Sequence, residues 1–195
     1  MKKKLTIISA LVICATIVTS GTLAYFTAED RARNVITSGG VNIELVETTK
    51  KGDGTEVEFP KEGLTGIMPG TSASKIVSVK NIGDEAWIRV KVDTTILDSQ
   101  GNELPQTIGD TSVVSYEVSS TDWFSSDGYY YYKDSVQMNE STNILFDEVR
   151  FAKEMGNEYQ NCRIEIDIDA QAVQTANNPI PAGGNVSDIP GWPAE

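Results

Sequence analysis

Apolar and polar residues alternate along several stretches of this chain, a period of two that puts successive side chains on opposite faces of a strand. Val41, Ile43 and Leu45 share one face against Asn42 and Glu44, and Val77 and Val79 alternate with Ser78 and Lys80. Ile88, Val90 and Val92 alternate with Trp87, Arg89, Lys91 and Asp93, and Val114, Tyr116 and Val118 with Ser115 and Glu117. The longest run sets Ile164, Ile166, Ile168, Ala170 and Ala172 against Glu165, Asp167, Asp169 and Gln171. Tyr129 to Tyr132 and Ile144 to Phe146 add aromatic and β-branched runs that favour strands. Turn signals separate them: Gly52-Asp53-Gly54, Pro69-Gly70, Asn81 to Asp84, Ser99 to Asn102 and Asp127-Gly128. Short alternating strands between turns predict an all-β fold, an antiparallel two-sheet sandwich with at most a short helix. Asp147 to Met155 reads either as that helix, with Val149, Ala152 and Met155 three apart, or as a strand pairing Val149 with Phe151.

Both ends depart from this pattern. Lys2, Lys3 and Lys4 precede an uncharged apolar run from Leu5 to Val18, and the small residues Thr22 and Ala24 follow three apart. That is the layout of a secretory signal, residues 1–24, cleaved between Ala24 and Tyr25, with no membrane span left afterwards. The competing reading is an uncleaved anchor, because Leu5 to Ala24 is about the 20 residues that cross a bilayer. At the other end, Pro179, Pro181, Pro190 and Pro193 gather beside Gly183-Gly184. Proline and glycine at this density exclude a sheet interior, so residues 176–195 are expected to form an extended tail after a sandwich domain spanning 41–175.

Composition narrows the chemistry. The 195 residues include 28 acidic and 16 basic ones, a net charge of −12, and no histidine. Loss of Lys2, Lys3 and Lys4 with the signal leaves 13 basic residues and a mature charge of −15. Such a chain offers no positive field to a phosphate backbone, so nucleic acid is not an expected partner. Without histidine the usual general base, zinc ligand and Ser-His or Cys-His pairs are missing, and no catalytic, cofactor or metal residues are assigned. Glu165, Asp167 and Asp169 on one strand face read as a solvated row, since alternate strand residues lie roughly 6.6 Å apart, too far for a tight calcium loop. Asp122, Asp127 and Asp134 with the four tyrosines could build a sugar platform, although such aromatic runs more often fill a core. Cys162, the one cysteine of the mature chain, is expected to be buried.

A resemblance adds to this reading. Gly21-Thr22-Leu23-Ala24-Tyr25-Phe26-Thr27 resembles the signal of the TasA and camelysin group of exported bacterial proteins, which a dedicated peptidase, SipW, processes. Asn34 to Gly39, Met68-Pro69-Gly70 and Val79-Lys80-Asn81-Ile82-Gly83 follow in that family's order. Asp127 to Lys133 and the strand Ile164 to Gln174 are most similar to its clostridial BsaA branch of biofilm matrix proteins. The resemblance covers roughly residues 1–175. It implies a jelly-roll sandwich exported from a Gram-positive cell, located in the extracellular matrix or at the cell surface. It further implies self-assembly into homopolymeric fibres by head-to-tail donor-strand exchange, with a SipW-type peptidase as export partner and a companion matrix protein as a possible anchor. Residues 25–40 would then be an N-terminal arm or donor strand, with Tyr25, Phe26, Arg31, Arg33, Val35 and Ile36 as the assembly residues. The two arginines would be drawn to an acidic neighbour; the alternative is an arm folded back as an edge strand on its own sheet. Two other functions compete. One is a camelysin-like surface metalloendopeptidase, for which a chain without histidine would need an all-carboxylate or Cys162 site. The other is a monomeric adhesin.

Overall fold

The structure is a computed structural model that describes residues 27–38, 40–61 and 67–193. Ala24, Tyr25 and Phe26 therefore lie outside the described residues. Alternation carries the chain through β1 (Thr27–Ser38), β2 (Ile43–Lys50), β3 (Glu56–Glu58), β4 (Ser72–Asn81) and β5 (Ala86–Leu97). A small hairpin, β6 (Thr107–Ile108) and β7 (Thr111–Ser112), leads to β8 (Val114–Tyr116), β9 (Trp123–Ser126) and β10 (Tyr129–Tyr132). The chain closes with β11 (Phe146–Phe151) and β12 (Arg163–Gln174). Helical structure among the described residues is confined to three single-turn 3-10 segments.

The strands form the expected all-β sandwich. One five-stranded sheet has the order β1-β12-β5-β10-β9 and the other β3-β2-β4-β11-β8. Every pairing is antiparallel except that of β1 with β12, which is parallel. The core lies between the sheets. Ile88, Val90 and Ile96 of β5 and Ile164, Ile168 and Ala172 of β12 face Val77 and Val79 of β4, and all are at most 1% exposed. The segment that could have been a helix is β11: Val149 and Phe151 enter the core two residues apart while Arg150 is exposed. Alternation beats the three-residue spacing because Phe146, Val149 and Phe151 all have partners in the core, and a ladder to β4 and β8 satisfies the backbone on both sides.

Two turns show why their sequences were chosen. Asp127 (φ 49°) and Gly128 (φ 79°) form the two-residue loop between Ser126 and Tyr129, the left-handed pair that matches the twist of a tight hairpin. At one pole of the sandwich, Gly83 approaches the 40–42 segment so closely that a Cβ would stand 2.4 Å from the Asn42 nitrogen. Asn81 pins this pole. It is fully buried, its amide donates to the carbonyls of Asp84 and Val136 at 2.8 Å, and its oxygen accepts from the Gly83 N–H at 2.9 Å.

The C-terminal segment corrects the expectation of an extended tail. After β12 it folds back over the outer face of the β12-β5-β10-β9 sheet and builds a second apolar cluster there. Val186 and Ile189 are buried against Tyr129, Tyr131 and Val173, with Ile180, Trp192, Trp87 and Phe124 packed around them. Proline and glycine do keep it out of the ladders, but two 3-10 turns, the second closed by a side-chain capping box, let it lie on the sheet. Asn185 accepts from the Ser187 N–H while Asp188 accepts from the Asn185 N–H, both at 2.8 Å. The Trp87 indole donates to the Asn178 carbonyl at 2.9 Å, and the Trp192 indole to that of Val186 at 2.9 Å.

Candidate assembly edge

Four of the six arm residues predicted from the sequence lie in one element, Tyr25 and Phe26 being outside the described residues. Arg31, Arg33, Val35 and Ile36 all belong to β1, which lies on the chain's own β12 at the edge of its sheet. In the chain by itself, the arm thus takes the folded-back position. The register pairs Ala28, Asp30 and Ala32 with Ile164, Ile166 and Ile168, which are buried on β12. Glu29, Arg31 and Arg33 pair with Glu165, Asp167 and Asp169, the opposite row. Between Arg33 and Ile36 the register shifts, which splits β1 into a long first part and a short second part.

Charge explains the outer row. Asp167 stands directly across from Asp93 of β5, a like-charge pair that costs free energy in an antiparallel ladder. Asp169 stands across from Lys91. On the other flank the register of β1 pairs Arg31 with Asp167, Arg33 with Asp169 and Glu29 with Glu165. The expected solvated row is corrected at Glu165, which is only 6% exposed and ion-paired with Arg163. A strand on each side of β12 withdraws this position from water, an effect that intrastrand alternation cannot disclose.

Beneath this edge, the facing sheet carries a charged group in its inner row. Lys75 sits between Ala73 and Val77 on β4, is 2% exposed, and donates from Nζ to Glu47 Oε1 of β2 at 2.7 Å. The same Nζ lies 4.0 Å above the centre of the Phe59 ring, a cation–π contact, and the Phe59 N–H donates to the Glu47 carbonyl at 3.0 Å. Sequence reading gave Lys75 no role, although a lysine in register with Ala73, Val77 and Val79 was the available signal.

The remaining candidate chemistry is dispersed. Tyr130 and Tyr132 turn into the core, where Tyr132 packs 5.1 Å from Trp123, while Tyr129 and Tyr131 are covered by the C-terminal segment. The four tyrosines therefore present no open platform. Asp122 is engaged by Ser119 at 3.0 Å and Asn143 at 2.8 Å. Cys162 is buried as expected, and burial pushes its thiol up to about 11. Desolvation also raises the Tyr116 hydroxyl, which abuts Tyr130. Among the described residues, no group of three or more His, Cys, Asp and Glu side chains converges as a metal site would require. An open groove of about 730 Å³ lies along Glu117, Asp122, Asp147 and Glu148, where Arg150 binds Glu148 at 2.8 Å and Glu117 at 3.4 Å. No helix among the described residues is long and apolar enough to cross a membrane. No protein-family model, curated protein or solved structure matches this chain.

Proposed function

We propose that this protein is a secreted, non-enzymatic structural protein whose copies join head to tail into extracellular fibres, each donating its β1 segment to the β12 edge of the next. The observation that carries this reading is the connectivity of β1. It is an edge strand at the start of the sandwich, runs parallel to its single neighbour, and has no hairpin tying it to that neighbour. Residues 39–42 link it to β2, and there Gly40 and Asn42 are already fixed to the body, their carbonyls accepting from the Asp84 and Ile82 N–H groups. β1 can therefore leave as a unit without rethreading any other strand. Its departure uncovers a row of N–H and C=O groups along β12 that only another strand can satisfy. A copy's β1 brings the same register, Ala28 and Ala32 opposite Ile164 and Ile168, and Arg31 and Arg33 opposite Asp167 and Asp169. Because the surface that gives differs from the surface that receives, the contact does not close on itself and propagates as a filament.

Removal of residues 25–38 from the mature chain tests this. The shortened protein should stay soluble and fail to form filaments under negative-stain microscopy, and a peptide of residues 25–38 added in excess should cap growth of the intact protein. Normal filaments from the shortened chain at equal concentration would defeat the proposal.

A further inference from the structure

We infer that the open seam between β5 and β8 is a seat for a short, extended, basic segment of another protein, bound as an added strand. Two edges meet there. β5 has β12 along one side over its whole length, but β10 begins only at Tyr129, after the Asp127-Gly128 turn, and pairs with β5 at Arg89 and Val90 alone. From Val92 to Thr95, no strand among the described residues lies on that side. β8 ends its own sheet and is paired on one side only, with β11.

The register fixes where the main chain points. Ala86 exchanges hydrogen bonds with Val136 on the side away from β12, and the Ile96 carbonyl accepts from the Leu104 N–H on that same side. Every second residue between them, Val92 and Thr94 included, therefore turns its N–H and C=O to the open side. On β8 the Val113 carbonyl accepts from the Ala152 N–H, which directs Ser115 towards β11 and the main-chain groups of Val114 and Tyr116 away from it. Between the edges lies a groove of about 410 Å³ lined by Val92, Ile96, Val114, Tyr116 and Tyr130. Gln106 bridges them: its Nε2 donates to the Thr94 carbonyl at 2.7 Å, and its own carbonyl accepts from the Val113 N–H at 2.8 Å. One side chain thus stands in for a single rung of a missing strand.

Length and charge define the occupant. The vacant positions Val92 to Thr95 span roughly 13 Å, room for one short strand. Its inner side chains would meet Val92, Ile96 and the two tyrosines, which suits valine or another β-branched residue. Its outer ones would stand beside Asp93, whose side chain is 63% exposed, with Lys91 3.9 Å away and Asp167 directly across on β12. One ammonium among two carboxylates, on a chain of net charge −12, favours lysine or arginine there and disfavours a second copy of the same charge. Main-chain bonds would supply the affinity and the alternating side chains the choice of partner.

The test uses the mature chain, residues 25–195, and a capped peptide of alternating lysine and valine, Lys-Val-Lys-Val-Lys, followed by NMR. In the free chain the Val92 and Thr94 amides should exchange roughly a hundredfold faster than those of Lys91 and Asp93, which bond to β12, and the peptide should slow both. Thr94→Pro removes a donor aimed at the groove, spares the β12 ladder, and should weaken binding roughly tenfold. D93K, at an exposed position, keeps the proposal testable if the proline disturbs the strand: it should weaken binding roughly threefold with the unfolding midpoint no lower. Q106A uncovers the Thr94 carbonyl and should tighten binding. Equally slow exchange at all four amides would overturn the seat, and equal binding of Glu-Val-Glu-Val-Glu would overturn the basic partner. Protection of Val92 and Thr94 by a peptide of residues 25–38 instead would hand the groove to the arm. Filaments of D93K should form as before, so failure here leaves strand exchange at β12 standing.

Discussion

The guanidinium carbon of Arg89 stands 3.9 Å from the centre of the Tyr129 ring, and the Trp192 ring closes over it at 4.9 Å. The same group donates to Gln171 at 2.8 Å, to the Tyr131 hydroxyl at 3.3 Å and to the Pro193 carbonyl at 2.7 Å. A buried cation is held here by two aromatic faces and three acceptors, and two of those partners belong to the C-terminal segment. Arg89→Ala should lower unfolding free energy by about 2–4 kcal/mol, since it deletes charge-assisted bonds and leaves acceptors unsatisfied. It should also make residues 176–193 the first site of proteolysis. Arg89→Lys keeps the charge without the planar fork and should recover less than half of the loss. An unchanged urea midpoint and an uncut tail in Arg89→Ala would show that the segment is held by its apolar contacts alone.

Asn81 offers a second check on stability. Its amide and oxygen close three backbone groups at the pole formed by residues 40–42 and 81–84. Asn81→Ala strands those groups without water, and thermal unfolding should fall by about 2–3 kcal/mol, or roughly 5–10 °C. Asn81→Asp retains the acceptor for Gly83 but points a carboxylate at two carbonyls, and it should be at least as damaging.

Charge at the β12 edge should set the rate of assembly. Arg31 and Arg33 are in register with Asp167 and Asp169, and Asp167 already faces Asp93. The double reversal R31E/R33E sets two new carboxylates opposite Asp167 and Asp169, beside the existing Glu29–Glu165 pair, and at about 0.2–1 kcal/mol per cross-strand pair, filament growth should slow roughly tenfold or more. Added salt should narrow the gap between variant and wild type by screening. Light scattering at two ionic strengths gives both numbers, and equal growth rates for the two proteins would remove electrostatics from the mechanism.

Cys162 provides a signed pH dependence. Its folded thiol titrates near 11, above its ordinary value of about 9, so the unfolded chain loses this proton first. Stability from this group is therefore complete below about pH 9 and drains away as the pH climbs towards about 11, by up to roughly 1.4 kcal/mol per unit. Cys162→Ala or Cys162→Ser should flatten that part of the curve. The native thiol should also resist alkylation at pH 8, and rapid labelling without unfolding would contradict its burial.

The sandwich was legible because its inner rows repeat with period two: the isoleucines of β12 and the valines of β4 and β5 lie where alternation puts them. Three features were hidden, for different physical reasons. Ile180, Val186, Ile189 and Trp192 bury a face of the sheet, but Gly183-Gly184 and Pro190-Gly191 interrupt the run, so their three-residue spacing does not read as a helix and they do not alternate as a strand. The parallel pairing of β1 depends on a partner more than 100 residues away, and adjacent Val35 and Ile36, which break the alternation, signal only the register shift. Lys75 was readable as a charge in an apolar row, yet its burial depends on Glu47 and Phe59, which only the folding of β2 and the segment after β3 brings near.

The placement of β12 between β1 and β5 makes length a condition of maturity. The earliest strand in sequence completes its sheet only on the latest one, so a chain interrupted before Arg163 leaves β1 without a partner and one side of β5 unpaired. Such a fragment cannot offer a seat to another copy's arm, though it still has an arm to offer. In the assembly proposed above it would terminate a fibre rather than extend it, so the seam that adds whole subunits would reject incomplete ones as templates.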